Sequence, residues 1–290
     1  MSRYVIINGK KAPKHIDVPD ASVIQTEYAG HAPEIIRELC AKDSTTEIHV
    51  YGGDGSVFEA VNAVMSIGEP QNVSLIIHPL GTGNDFVRNF PESEKTQNIT
   101  IDLIKFGNQY AANEINLGFD CDVVVATQKV KKLPFLKGSL AYLVGIFATL
   151  LKKMGRDFDI TYTDIDGKTS TIQDKLLLCL FANGGYYGGG FNCAPLASLN
   201  DGYLEMITVS KMSRLKFLTF FLGYRKGKHL NPDGTIPKRY QKILKYTRVR
   251  SAELHNVGPV CADGEIFTYD TLSVSVKENA FRISIADKAK

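Results

Sequence analysis

Gly52-Gly53-Asp54-Gly55-Ser56 and Pro79-Leu80-Gly81-Thr82-Gly83-Asn84-Asp85 hold the acids and hydroxyls best placed for chemistry in this chain. Each follows a short apolar run, residues 48–51 and 75–77, and so reads as the turn after a buried strand. Glycine permits positive φ and lets backbone N–H groups approach a ligand closely. Consecutive N–H groups ahead of a helix start make a site for phosphate. A carboxylate in the same turn can help hold magnesium, which phosphoryl transfer requires. The two turns together point to nucleotide chemistry. The plainer reading of Asp54 and Ser56 is a helix N-cap, and Asn84 or Asp85 could likewise cap a short helix over residues 86–89.

Other candidates are less specific. Asp263-Gly264-Glu265 follows an apolar run at 257–262 and, taken alone, reads as a hairpin turn. Asn200-Asp201-Gly202 reads as a turn ahead of a strand at 203–209. Residues 184–190, GGYYGGG, are too glycine-rich for ordinary structure and suit either a lid or a close-packed loop. Lys129, Lys131, Lys132 and Lys137 surround the apolar Leu133-Pro134-Phe135-Leu136. That pattern suits docking on an anionic membrane face, at about 1 kcal/mol per cation, or a solvated loop. Arg225, Lys226, Lys228 and His229 fit a helix C-terminus. The six histidines are dispersed, and no HExxH, Ser-His-Asp or Walker-type signature occurs.

The elements that position these residues fall in two styles. Strand patterns at 4–7, 22–26, 48–51 and 75–77 alternate with helical ones at 32–41 and 57–67, which predicts a parallel sheet flanked by helices. Ligands on such sheets sit at the carboxyl ends of strands, where both turns fall. Beyond about Gly107 come helical segments at 122–130, 140–154 and 213–226. Around them lie short strands at 158–163, 175–182, 203–209, 245–252, 257–262, 272–276 and 281–286, which suggest an antiparallel sandwich or barrel. The expected division is residues 1–107 and 108–290, with the last segment packing back on the first domain.

At 290 residues the chain has room for two such domains. A net charge of +3 is too small to imply a nucleic-acid partner. No basic start with an apolar run follows Met1, so no signal peptide is expected. The apolar stretch 140–151 is short of the roughly 20 residues that span a bilayer. Five scattered cysteines without a CxxC read as free thiols in a reducing cytoplasm.

Several motifs follow one another in order. They are Thr26-Glu27-Tyr28-Ala29-Gly30-His31-Ala32; the first turn with Glu59 and Asn62; the second turn; Asn116 through Asp120; Gly188-Gly189-Gly190 with Pro195, Ala197 and Asp201-Gly202; and Asp263-Gly264-Glu265. In that order they resemble the diacylglycerol kinase catalytic family, in its bacterial soluble lipid kinase branch, over nearly the whole chain. The resemblance implies an α/β N-terminal domain like that of NAD kinases, a C-terminal β-sandwich, and ATP in the cleft between them. It carries nucleotide contacts to Thr26, to Gly52, Gly53, Asp54, Gly55, Ser56, Val57 and Phe58, and to Gly81, Thr82, Asn84 and Asp85. It makes Glu265 the base that deprotonates a lipid hydroxyl, and sets a catalytic magnesium near Asp54. A second, structural magnesium falls to Asp201 with the backbone oxygens of Ser198 and Tyr203. It further implies a lipid substrate, a peripheral place on the inner membrane face and a homodimer. Two departures stand out. Asn8-Gly9-Lys10-Lys11-Ala12 replaces the family's Asn-Pro-x-Ser-Gly, and Phe58 stands where asparagine is common.

Two other functions compete. An NAD kinase or sugar-phosphate kinase also uses a GGDG turn, but not the second turn or the late Asp-Gly-Glu. A non-catalytic lipid-binding protein is suggested by the altered first loop, but has no chemical need for Asp54, Asp201 and Glu265 together.

Overall fold

The computed structural model describes residues 2–8, 16, 18–28, 30–42, 45–68, 70–80, 83–93, 96–130, 138–152 and 154–286. The alternating first part builds strands β1 (Ser2–Asn8), β2 (Ser22–Thr26), β3 (Thr46–Gly52) and β4 (Val73–Pro79) into a parallel sheet ordered β2-β1-β3-β4. Helices α1 (His31–Lys42) and α2 (Asp54–Met65) lie against it. α1 buries Ile35, Ile36 and Leu39, and α2 buries Val57, Ala60, Val61 and Val64, the faces their spacing predicts. α2 starts at Asp54, ahead of the apolar period at 57, because its first turn is polar and carries no buried face. The register sets Asn8 beside Thr26, Ile7 beside Tyr51 and Gly52 beside Pro79. All four carboxyl ends therefore share one edge.

β5 (Ile99–Phe106), absent from the strands read in the sequence, and β6 (Gln109–Ala111) lead into the second part, with Gly107 at φ 51 in the turn between them. There follow β7 (Glu114–Gly118), α3 (Phe119–Val130), α4 (Gly138–Leu150), β8 (Arg156–Asp164), β9 (Thr169–Ala182), β10 (Tyr186–Tyr187), β11 (Phe191–Asn192), β12 (Leu204–Ser210), α5 (Arg214–Arg225), β13 (Leu244–Ala262) and β14 (Glu265–Ile285). Apart from the small β10–β11 pair, the strands form an antiparallel sandwich. β9 pairs with β8 along its first half and with β7 and β12 along its second, while β13 pairs with β12, β8 and β7 in turn.

Two expected pairs of short strands are single long ones. The breaks read at 253–256 and 277–280 are irregularities within β13 and β14, with Asn256 at φ 54 and Asn279 at φ 47. An asparagine that tolerates the left-handed region reads as a turn in sequence but also serves a β-bulge. β14 then spans both halves. Residues 265–275 pair with β13, and residues 282–285 run parallel to β4. Leu272 and Val274 belong to the sandwich core, whereas Phe281, Ile283 and Ile285 complete the core of the parallel sheet.

Phe281 is 1% exposed, so Phe281→Ala should cost about 3–5 kcal/mol through lost burial and a cavity. Urea unfolding followed by circular dichroism reads this as a lower midpoint with an unchanged slope. A loss below about 1 kcal/mol would mean that the end of β14 is not part of the cooperative core.

Candidate active site

The first glycine turn becomes the start of α2. Its N-cap is Gly53 in extended conformation, and no side chain caps the helix. The N–H groups of Ser56 and Val57 donate to the Gly53 carbonyl. Neither Asp54 nor Ser56 is spent on capping, and the helix start is left for an anion. A Cβ at Gly52 would lie 2.2 Å from Ser56 Oγ, so no larger residue lets the turn close. Asp54 reaches instead to the second turn, where its Oδ1 accepts the Phe86 N–H at 3.2 Å.

Asp54 and Asp85 converge. A Cβ built at Gly83 would lie 3.1 Å from Asp54 Oδ2 and 3.8 Å from Asp85 Oδ2. Burial pushes the Asp54 carboxyl above its ordinary range; the Phe86 N–H pulls against this and the Asp85 charge adds to it. Asp85 Oδ2 accepts the Gly189 N–H at 2.7 Å. Its buried Oδ1 has no hydrogen bond among the described residues, though Arg88 Nε stands 3.4 Å away.

Asp263-Gly264 is indeed a two-residue hairpin turn, with φ 47 and 90, the geometry that Asp-Gly favours. It is also much more. The Asp263 carboxylate accepts the N–H groups of Ala112 at 2.7 Å, Asn113 at 3.1 Å and Glu114 at 2.9 Å. This clamp sets Glu265 against the first turn of α2. A Cβ at Gly55 would lie 3.7 Å from Glu265 Oε1, and the Glu265 charge contributes to the raised pKa of Glu59, after burial.

The loop at 184–190 is close-packed at its start, at Gly184 and Gly185, and open at Gly189. A Cβ at Gly184 would fall 2.0 Å from Asn113 Oδ1. Asn89 holds the loop from the second turn, donating to Asn113 Oδ1 at 2.9 Å and accepting the Gly185 N–H at 2.6 Å. Asn113 in turn donates to the Tyr186 carbonyl. Near the end of the Asn116-to-Asp120 motif a small cavity of about 10 Å³ opens among Phe119, Val123, Ile146, Phe217 and Phe220. Asp120 sits in it, receives the Tyr187 hydroxyl, and is pushed up to about 6 by burial.

The turn at Asn200-Asp201-Gly202 is strapped down by an acid the sequence reading passed over. Asp102 accepts the Gly202 N–H at 2.7 Å and the Asn279 N–H at 2.8 Å. Asp201 accepts the Tyr203 N–H at 3.1 Å, and Ser198 Oγ donates to Asn200 at 3.1 Å. Asp102 and Glu114 had a signal: each is a lone acid in an otherwise buried strand, which an apolar run tolerates only for a specific partner.

Other candidates fall differently. Thr26 ends β2 at the ligand edge, half-buried. The side chains of Val57 and Phe58 point into the two cores, Phe58 against Phe267 at 6.0 Å, so they offer a ligand only backbone. Asn84 takes φ 50 beside Asp85. Gly81, Thr82, residues 9–12 of the altered loop and residues 131–137 of the basic loop lie outside the described residues. No group of three or more His, Cys, Asp and Glu forms a metal cluster among the described residues, but nucleotide-borne magnesium needs only one or two carboxylates. No described helix is long and apolar enough to cross a membrane.

Comparison with known proteins bears on family and fold. The diacylglycerol kinase catalytic domain matches residues 10–114, and the YegS C-terminal NAD kinase beta sandwich-like domain matches residues 113–285. A Shewanella frigidimarina (strain NCIMB 400) protein named "Probable lipid kinase YegS-like" is 30% identical over 234 residues, 72% of each chain. A Mycobacterium tuberculosis (strain ATCC 25618 / H37Rv) protein named "Diacylglycerol kinase" is 26% identical over 246 residues, 79% of this chain and 75% of its own. The solved structure of a diacylglycerol kinase from Bacillus anthracis str. Sterne has the same fold, with a TM-score of 0.66 at 19% identity over 97% of this chain and 96% of that one.

The buried Asp120 gives a pH prediction. Its folded pKa of about 6 exceeds the unfolded value near 3.9, so its stabilising contribution is complete below about pH 4 and lost as pH rises through about 6. Asp120→Asn keeps an acceptor for Tyr187 and removes the charge. The variant should be more stable than wild type at pH 7.5, by up to about 3 kcal/mol, with the difference vanishing near pH 4. Thermal melts across that range test it; a difference independent of pH would overturn it.

Proposed function

Because this chain belongs to the diacylglycerol kinase catalytic family, whose members are phosphotransferases, we propose that it transfers the γ-phosphate of ATP to the free hydroxyl of a diacylglycerol-like lipid. The observation that carries this reading is the approach of the Glu265 carboxylate to the first turn of α2. A base must come within hydrogen-bond reach of the hydroxyl it deprotonates, and a nucleotide lying on that turn would present its γ-phosphate there.

In this mechanism the uncapped start of α2 receives phosphate oxygens through backbone N–H groups. Asp54 and Asp85, the latter with a buried oxygen that has no hydrogen bond among the described residues, would hold a magnesium ion brought by the nucleotide. That ion would supply charge neutralisation on the phosphates. Glu265 accepts the proton of the lipid hydroxyl as its oxygen bonds to the γ-phosphorus. The bond from that phosphorus to the bridging oxygen breaks, and ADP leaves. By the family resemblance, Asp201 with the backbone oxygens of Ser198 and Tyr203 would hold a second magnesium, for which oxygen ligands are suited. Burial raises the Asp201 pKa, and a divalent cation would offset that cost.

Two measurements test these roles. Glu265→Gln should lower transfer of labelled γ-phosphate to diacylglycerol in mixed micelles by about 10²–10⁴-fold, with ATP affinity unchanged; a variant as fast as wild type removes Glu265 from the role of base. Without nucleotide, millimolar magnesium should raise the melting temperature of wild type but not of Asp201→Ala, since a ligand that binds only the folded state stabilises it. An equal rise in both would take the structural ion away from Asp201.

A further inference from the structure

α5 is apolar on two sides. Phe217, Phe220 and Tyr224 face inward and are buried, yet Leu215, Leu218 and Leu222 form a second stripe that is 76%, 49% and 63% exposed. A solvated surface helix carries one apolar stripe, not two. The exposed stripe is continued at the carboxyl end of α4, where Phe147 and, one residue past the helix, Leu151 are 58% and 82% exposed. The two helices are joined at this end. Arg214, the first residue of α5, donates from Nε to the Leu150 carbonyl at 2.6 Å and from its Nη2 to the Lys152 carbonyl at 3.1 Å, which sets a cation on the carboxyl end of α4. Their inner faces meet over the aromatic cavity, to which Ile146, Phe217 and Phe220 all contribute.

The charge around this face is mostly positive. Residues 138–152 and 206–232 contain one and six Lys or Arg and no Asp or Glu. Lys152, Lys211, Arg214, Lys216, Arg225, Lys226 and Lys228 are all exposed. Asp122 on α3 interacts with Lys152 and Arg156, and Asp120 lines the cavity beneath the two helices. Exposed leucines beside a surplus of exposed cations are the makeup of an interfacial helix, whose apolar face enters a bilayer by about 5–10 Å while its cations meet anionic head groups. A protein partner would need a complementary acidic and apolar patch, whereas an anionic bilayer meets both features without side-chain complementarity.

We propose that the face formed by Phe147, Leu151, Leu215, Leu218 and Leu222 docks the protein on an anionic lipid bilayer. The face stands on its own geometry; only the purpose of docking, access to a lipid substrate, rests on the kinase reading.

The test is co-sedimentation of the full chain with vesicles of phosphatidylcholine alone or mixed equally with phosphatidylglycerol. Wild type should bind the mixed vesicles at least 10-fold more tightly than the neutral ones, and the double variant Leu218→Glu/Leu222→Glu should lose at least 10-fold on the mixed vesicles. Both side chains are exposed, so its melting temperature should stay near wild type. Wild type left in the supernatant, or a variant that binds as well as wild type, overturns the proposal. So does light scattering that finds a dimer abolished by the same substitutions while vesicles are ignored, for then a second copy covers the face. Transfer to a short-chain diacylglycerol dissolved in water separates the two readings. If the variant phosphorylates it at the wild-type rate, docking and chemistry are distinct functions of the same enzyme. If neither protein phosphorylates any lipid while only wild type binds vesicles, the docking face stands and the kinase reading falls.

Discussion

The Asp263 carboxylate fixes the geometry on which the candidate site depends. Three successive N–H groups converge on it from the turn between β6 and β7. Hydrogen bonds to an ionised acceptor are worth about 1.5–3 kcal/mol each, set here against the loss of water that pushes the same group up to about 6. The clamp also propagates. Asn113 contacts Asn89 and the glycine loop, and Asn183 donates to the carbonyls of Ala112 at 3.0 Å and Asp102 at 2.9 Å. Asp102 then ties the 200–202 turn to the bulge of β14. A chain of short polar side chains thus runs from the Asp-Gly-Glu hairpin to the junction of the two cores.

This scaffold gathers acids that would otherwise repel. Asp54 and Asp85 share Gly83, Asp54 adds to the raised pKa of Asp263, and Asp263 adds to that of the fully buried Glu114. Such a cluster is costly in an apolar setting. It is consistent with a site that meets cations and polyanions together, where fixed dipoles and charges are arranged before the substrates arrive.

Much of this was legible in the sequence because its signals are local. Apolar period gave the buried faces of α1 and α2, and glycine spacing gave the first turn. The ordered motifs gave the family and its pairing of an α/β domain with a β-sandwich. What escaped was long-range. Asp102 and Glu114 act through partners distant in sequence, and β5 was passed over although its run Ile-Thr-Ile-Asp-Leu-Ile-Lys-Phe is strongly apolar. The bulges at Asn256 and Asn279 resemble turns until their strands are seen to continue. The hairpin reading of Asp263-Gly264 was correct and incomplete: local preference explains the backbone, and the three tertiary N–H groups explain why an acid occupies it. The exposed stripe of α5 was hidden because helical period alone does not say which of two apolar faces finds a neighbour.

The path of β14 has a consequence for how the protein comes into being. Arg282 pairs with Ser74 and Ile283 with Leu75, so the parallel sheet is finished by residues synthesised long after β4. Until they leave the ribosome, β4 presents an open edge, and the core around Leu75 and Ile101 lacks Phe281 and Ile283. Contacts of such sequence separation close late and slowly, and an unpaired edge invites association with other chains. The parallel-sheet half cannot mature ahead of the strand that closes it, although it is made first. A chain stopped before β14 would leave an aggregation-prone fragment, which ties the assembly of the candidate site to the synthesis of that strand.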